Sequence, residues 1–154
     1  MAAAQAAAKA PKFSIPTTGG VFRLGDQGDM SLVVYFYPRD NTPGCTLEGS
    51  DFRDLAPAFR RARTRILGIS TDTLESHRRF KDKTKFPFEL GSDEDHAVAS
   101  LFGAWRQKNM YGRKMMGVER STFLIDAKGA IRREWRKVRV KGHAADVLAA
   151  ARGI

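Results

Sequence analysis

The chain of 154 residues has a single cysteine, Cys45, and so cannot form an internal disulfide. That excludes the disulfide-stapled class of small secreted domains and suits a reducing compartment, so a cytoplasmic location is expected. Long hydrophobic runs are lacking too. Nothing approaches the ~20 consecutive apolar residues of a membrane-spanning helix. The opening MAAAQAAAKAPKF has no charged n-region and its apolar part is mostly alanine, a poor secretory signal. Acidic residues are in deficit, 17 Asp and Glu against 27 Lys and Arg, for a net charge of +10. Such a balance can serve nucleic acid, anionic lipid or acidic partners. Here the excess is scattered. Its densest run, RREWRKVRVK (Arg132 to Lys141), interleaves Trp135, Val138 and Val140 as a partly exposed strand would. A solvated face is expected there, with no nucleic-acid site.

What remains is an ordinary globular composition, 42% hydrophobic and 29% charged, in a length that suits one domain. Residues 1–10 form a low-complexity alanine segment expected to fray, leaving 11–154 as a single domain. Turn-rich TTGG and LGDQGD bracket a short strand or hairpin near Val21 to Leu24. LVVYFY (Leu32 to Tyr37) is continuous, apolar and rich in β-branched and aromatic residues, as a strand covered on both faces is. RILGIS (Arg65 to Ser70) and STFLID (Ser121 to Asp126) read the same way.

Between these strands lie helical patterns. Phe52, Leu55, Phe59 and Ala62 make one apolar stripe, interrupted by Pro57, which should kink the helix or begin a new one. TDTLESHRRFKDK opens with Asp72 three residues before Glu75, a helix-start spacing. SDEDHAVASLFG begins with acids and stops near Gly103. FPFEL is a short extended piece, AKGA turns the chain into the hairpin strand IRREWRKV, and HAADVLAAA closes as a helix. This order predicts an α/β architecture around a mostly parallel sheet.

Cys45 sits between the turn YPRDNTPG and the start of the first helix, placed at about Cys45 itself. A free thiol has a pKa near 8.5 and is only a few per cent ionised at neutral pH. At a helix start, unpaired backbone N–H groups and the positive end of the dipole favour the thiolate. Pro43 stiffens the turn, Gly44 permits close backbone approach, and Thr42 offers a hydroxyl three residues before the sulfur. A dithiol exchanger would carry cysteine at position 42; threonine there disfavours that chemistry. On the residues alone, a reactive thiol and a small buried hydrophobe stand level.

YFYPRDNTPGCTLEGSDFRD resembles the active-site segment of the peroxiredoxins, specifically of the bacterioferritin-comigratory-protein, or peroxiredoxin Q, subfamily. APKFSIP, ILGISTDTLESHRRFKDKTKFPFEL, SDEDHAVASLFGAW, MYGRKMMGVERSTFLID and KVRVKGHAADVL follow the subfamily in order, over roughly residues 10 to 150. The resemblance implies a thioredoxin-like fold, a central mixed sheet flanked by helices, and a peroxidase of hydrogen peroxide and organic hydroperoxides. It implies Cys45 as the peroxidatic cysteine and Thr42 as hydrogen-bonding both thiolate and peroxide. Pro38 would shield the pocket, and Arg120, just before STFLID, would be the second-site arginine. No metal or organic cofactor is implied, and a monomer is favoured, although dimers occur in the subfamily.

One departure changes the expected cycle. Many relatives carry a resolving cysteine five residues after the peroxidatic one, where this chain has Ser50; others carry it on a later helix, where none exists here. A sulfenic acid on Cys45 would therefore be resolved by an external thiol: thioredoxin, glutaredoxin, glutathione or another. A competing reading is a basic binding or chaperone-like module with a structural thiol. Among the other candidates, Asp93, Asp95 and His96 fit a helix start better than a metal site. Glu48, expected in the helix's first turn, suits the dipole, and an ion pair with an active-site arginine is the alternative. His77 is expected to be exposed on a charged helix, and His143 to cap or contact the last helix. Met110, Met115 and Met116, near Tyr111, are expected in a loop packed over the active-site region.

Overall fold

The computed structural model describes residues 8–154. Its first strands, β1 (Ser14–Thr17) and β2 (Gly20–Arg23), form an antiparallel hairpin. Of the short strand or hairpin expected near Val21 to Leu24, the structure makes a hairpin, with its first strand at Ser14–Thr17. There follow β3 (Ser31–Phe36), α1 (Pro43–Arg61), β4 (Thr64–Ser70), α2 (Leu74–Thr84), β5 (Glu89–Ser92) and α3 (Ala97–Leu101). A separate two-stranded ribbon, β6 (Trp105–Met110) and β7 (Arg113–Val118), precedes β8 (Ser121–Ile125), β9 (Ile131–Trp135) and α4 (His143–Arg152). Seven strands make one sheet in the order β2-β1-β5-β4-β3-β8-β9. No helix among the described residues is long and apolar enough to cross a membrane.

The sheet is mixed and not mostly parallel. Only β3 with β4 and β4 with β5 run parallel. The chain crosses over with a helix only between those strands; β8 returns antiparallel to β3, and the β1–β2 hairpin extends the other edge. Alternation along β3 divides the core in two. Val33 and Tyr35, with Tyr37 just beyond the strand, face Phe52 and Phe59 of α1, Phe80 of α2 and Val147 of α4. Leu32, Val34 and Phe36 face Ile15, Val98 and Phe102 on the opposite side. This is the thioredoxin-like arrangement.

Three local expectations give way to tertiary packing. Helix α1 runs through Pro57 as one element, anchored by the fully buried Phe52 and Phe59 on one side of it. Burying each ring contributes about 1.5–3 kcal/mol, enough together to offset a missing helical hydrogen bond. Helix α2 is capped not by Asp72 but by Thr73, whose Oγ1 accepts from the Ser76 N–H at 3.1 Å. Residues 8–10 of the alanine-rich start lie along the β8–β9 turn: the Ala10 N–H donates to the Gly129 carbonyl, and the Ile131 N–H to that of Ala8. Residues 1–7 of that segment lie outside the described residues.

Candidate active site

Helix α1 begins at Pro43, two residues earlier than the sequence suggested, with Thr42 in extended conformation at the N-cap. Proline at the first position gives up an N–H that would have no helical partner. Cys45 is therefore the third helical residue, still in the turn where backbone N–H groups lack partners and favour negative charge. Its side chain is 2% exposed.

Arg120 reaches this sulfur from the segment between β7 and β8. Its Nη2 donates to Cys45 Sγ at 3.3 Å and its Nη1 to Glu48 Oε1 at 2.6 Å. Gly44 makes the approach possible: a Cβ there would stand 3.3 Å from Arg120 Nη2. The glycine thus makes room for the guanidinium. Glu48 is not a first-turn residue answering the dipole. It lies one turn further on, fully buried, and fixes the arginine in a salt bridge. Burial raises its carboxyl from 4.5 to about 7, with Arg120 opposing, and its Oε2 has no hydrogen-bond partner among the described residues. Burial works against the charge on Arg120, but Glu48 and then the Cys45 sulfur outweigh it and hold the guanidinium above its ordinary value.

Pro38 is half-buried one residue beyond Tyr37, in the turn that leads to α1. Thr42 stands beside the site, but its hydroxyl donates to the Arg39 carbonyl at 2.9 Å. That bond closes the turn. Ser50 is half-buried one and a half turns along α1 from the sulfur.

The same turn is tied down from below by side chains the sequence did not single out for this purpose. His77 is fully buried, contrary to expectation, because the polar face of α2 turns one residue inward against the turn. Its Nδ1 lies 2.7 Å from Asp40 Oδ2 and its Nε2 2.9 Å from the Gly91 carbonyl. The Tyr37 hydroxyl donates to Asp40 Oδ1 at 2.6 Å, Ser76 Oγ to Asp40 Oδ2 at 2.8 Å, and the Asp40 N–H to Asp72 Oδ2 at 2.8 Å. Asp40, Asp72 and His77 have ligand-type atoms within 4.8 Å of one another. The donors already on both aspartates make this a hydrogen-bond network, with the carboxylates spent on the protein.

The remaining candidates resolve structurally. Asp93 accepts from the Val98 and Ala99 N–H groups and so starts α3, while His96 stacks on Trp105 at 4.0 Å. His143 is the first residue of α4, and its Nε2 lies 2.8 Å from Thr122 Oγ1. Burial lowers its pKa to about 4 against Asp146, with Arg120 adding to the fall. The methionine segment is no packed loop. It is the β6–β7 ribbon, with Tyr111, Met115 and Met116 exposed, because the strands pair only with each other.

The AhpC/TSA family model matches residues 6–134. Peroxiredoxin Bcp of Bacillus subtilis is 45% identical over 141 residues, 91% of this chain and 90% of that protein. Peroxiredoxin Bcp of Xanthomonas campestris is 52% identical over 119 residues, 77% of this chain and 74% of that protein. A structure of the Xanthomonas campestris bacterioferritin comigratory protein, solved to give insight into its alkyl peroxide reduction activity, superposes with a TM-score of 0.87 at 45% identity, covering 92% and 90% of the two chains. With a thioredoxin-like fold, a cysteine at the start of α1 and an arginine on its sulfur, this chain belongs to the AhpC/TSA family of peroxiredoxins, among its bacterioferritin-comigratory-protein members.

Proposed function

We propose that the chain is a thiol-dependent peroxidase of hydrogen peroxide and organic hydroperoxides, acting through Cys45. The observation that carries this reading is the 3.3 Å contact between Arg120 Nη2 and Cys45 Sγ, held by the Glu48 salt bridge. A guanidinium at that distance favours the anionic sulfur over the neutral thiol. Family membership supports the reaction class, and the peroxide-reducing relative supports the substrate class.

In the first step the Cys45 sulfur attacks one peroxide oxygen. An S–O bond forms, the O–O bond breaks, and the distal oxygen takes a proton and leaves as water or an alcohol. Sulfur is oxidised to the sulfenic acid and the peroxide is reduced. Negative charge moves from sulfur to the leaving oxygen, and Arg120 lies where it can stabilise both ends. Thr42, after releasing Arg39, can donate to the peroxide, and Pro38, half-buried in the turn leading to α1, takes the role of shielding the sulfur from water. Since the chain has no second cysteine, two external thiols return the sulfenic acid to the thiol, with release of water and their own disulfide. The setting is cytoplasmic, where such thiols are kept reduced.

The reading is checked by peroxide consumption with dithiothreitol as reductant. Wild type consumes peroxide; Cys45→Ser, which keeps the size of the side chain, consumes none above background. Full activity in that variant would overturn the proposal.

A further inference from the structure

At the end of the sheet opposite Cys45, three chain segments enclose a cleft of about 540 Å³. Strand β8 starts beside Arg120 and runs antiparallel to β3, pairing Ser121 with Phe36 and Ile125 with Leu32. The turn after β8 therefore lies at the start of β3, and the active site at its end. The cleft is walled by that turn (residues 127–129), the chain entering β1 (residues 9–14) and the chain leaving β2 (residues 23–27). Backbone bonds fix these walls to one another. The Ala10 N–H donates to the Gly129 carbonyl at 2.8 Å, and the Leu24 N–H to the Phe13 carbonyl at 3.0 Å.

The lining divides by chemistry. Lys9, Lys12, Arg23 and Lys128 are its cations, and among the described residues none of them has a carboxylate within ion-pair distance. The carboxylates nearest in sequence to Arg23 and Lys128 are turned elsewhere. Asp26 Oδ2 accepts from the Arg23 N–H at 2.8 Å, and Asp126 Oδ1 from the Lys128 and Ala130 N–H groups at 2.9 and 3.0 Å. The Arg132 guanidinium donates to Asp126 Oδ2 at 3.4 Å. Neither aspartate lines the cleft. Against the cations stands an apolar part, with Ala10 and Phe13 buried and Leu24 half-buried. Gln27, also in the lining, is only 5% exposed. Its Oε1 accepts from the Gly25 N–H at 2.9 Å, while its amide NH2 has no acceptor among the described residues. An apolar floor with a few convergent polar groups is the composition of a small-ligand site.

We infer that this cleft binds a phosphate monoester carried on an aliphatic body, at a site separate from Cys45. The charge sets the head. Four cations with no carboxylate among them favour more than one negative charge, and a phosphate monoester is nearly doubly charged at neutral pH. Arg23 can take two of its oxygens at once. The floor sets the body. Phe13 meets Phe102 edge-on at 5.6 Å and Phe22 at 6.1 Å, and is 8% exposed. Its ring is engaged in the core, which leaves no aromatic face on which a nucleobase could stack. An alkyl chain needs no such face, only the apolar surface of Ala10, Phe13 and Leu24.

The test is calorimetric titration of the full chain with octyl phosphate, inorganic phosphate and octanol. Wild type is expected to bind octyl phosphate about 10-fold more tightly than inorganic phosphate, the scale of burying two methylene groups, and octanol far more weakly than either. Lys12→Gln with Lys128→Gln should weaken octyl phosphate about 10-fold, the scale of two partly screened charge pairs. Lys12→Arg with Lys128→Arg should bind as wild type does. Lys137→Gln with Arg139→Gln removes the same charge at the other end of the sheet, where the Val138 N–H meets the Arg120 carbonyl, and should leave binding unchanged. Cys45→Ser should leave it unchanged too, and none of these readouts depends on peroxidase activity. Vesicles of phosphatidylcholine with phosphatidic acid offer the same head on a membrane. Cosedimentation of wild type, lost in the Lys12→Gln, Lys128→Gln variant, would uphold the site with a lipid as its source; octyl phosphate binding without cosedimentation would uphold it with a free ligand. No binding of octyl phosphate, equal affinity for octyl and inorganic phosphate, or an equal loss from the Lys137 and Arg139 substitutions would overturn the inference and leave only the attraction of a basic surface for anions.

Discussion

His77 and Asp40 share a proton in the protein interior. Both ring nitrogens of His77 face acceptors, the Gly91 carbonyl at 2.9 Å and Asp40 Oδ2 at 2.7 Å, so a hydrogen must lie between Nδ1 and the carboxylate, carried by one or the other. Through this bond α2 holds the turn that carries Pro38 and Thr42. Removing one partner leaves the other buried and unsatisfied. His77→Ala is expected to cost about 3 kcal/mol or more in urea unfolding, while Asp72→Ala, at a half-buried position, costs less. A loss under 1 kcal/mol for His77→Ala would show that the network does not carry this load.

Arg120→Ala removes the donor on the sulfur and leaves Glu48 without its counter-charge. Oxidation of Cys45 by hydrogen peroxide in stopped flow is expected to slow by ~10²-fold or more, the usual cost of losing a donor to developing charge. Arg120→Lys should recover only part of this, since one ammonium cannot bond Cys45 and Glu48 with the geometry of a planar fork. An unchanged oxidation rate in Arg120→Ala would remove arginine from the mechanism.

Glu48 and His143 should tilt stability in opposite directions over the same pH range. The folded state raises the Glu48 carboxyl from 4.5 to about 7, so it binds the proton more tightly than the unfolded chain. Its contribution is fully present below about 4.5 and is lost as pH rises through about 7, a swing of about 3 kcal/mol. The folded state lowers His143 from 6.5 to about 4. Its contribution is present above 6.5 and is lost as pH falls through about 4. Wild-type stability between these limits should therefore be flatter than that of either variant. Glu48→Gln should lose stability on acidification and His143→Gln should gain it, as read from urea midpoints at each pH. Parallel slopes in the two variants would contradict the assignment.

Gly49→Ala tests a packing constraint under the active-site helix. A Cβ there would stand 2.3 Å from Cζ of Phe86, a buried ring stacked on Phe88 at 5.0 Å. Since the ring cannot give way without displacing its neighbour, a loss of about 1–3 kcal/mol is expected in spite of alanine's better helix propensity. A neutral or stabilising result in thermal unfolding would show that the packing of α1 against the segment joining α2 to β5 adjusts freely.

By itself the sequence determined the buried strands, the apolar stripe of α1, the uniqueness of Cys45 and its place in the first helical turn. These are local matters of periodicity and turn chemistry, and LVVYFY or TPGCT reads the same in any setting. The motif also named Arg120, but no pattern along the chain says that residues 45 and 120 touch. Only the return of β8 beside β3 brings them to 3.3 Å. Tertiary structure likewise decided that Glu48 pairs with that arginine, that His77 points inward, and that the methionine segment stands off as a ribbon. A charged side chain on a helix reads as solvated until something packs against it. Whether it instead becomes a buried partner depends on strands distant in sequence, and that is information the local residues do not hold.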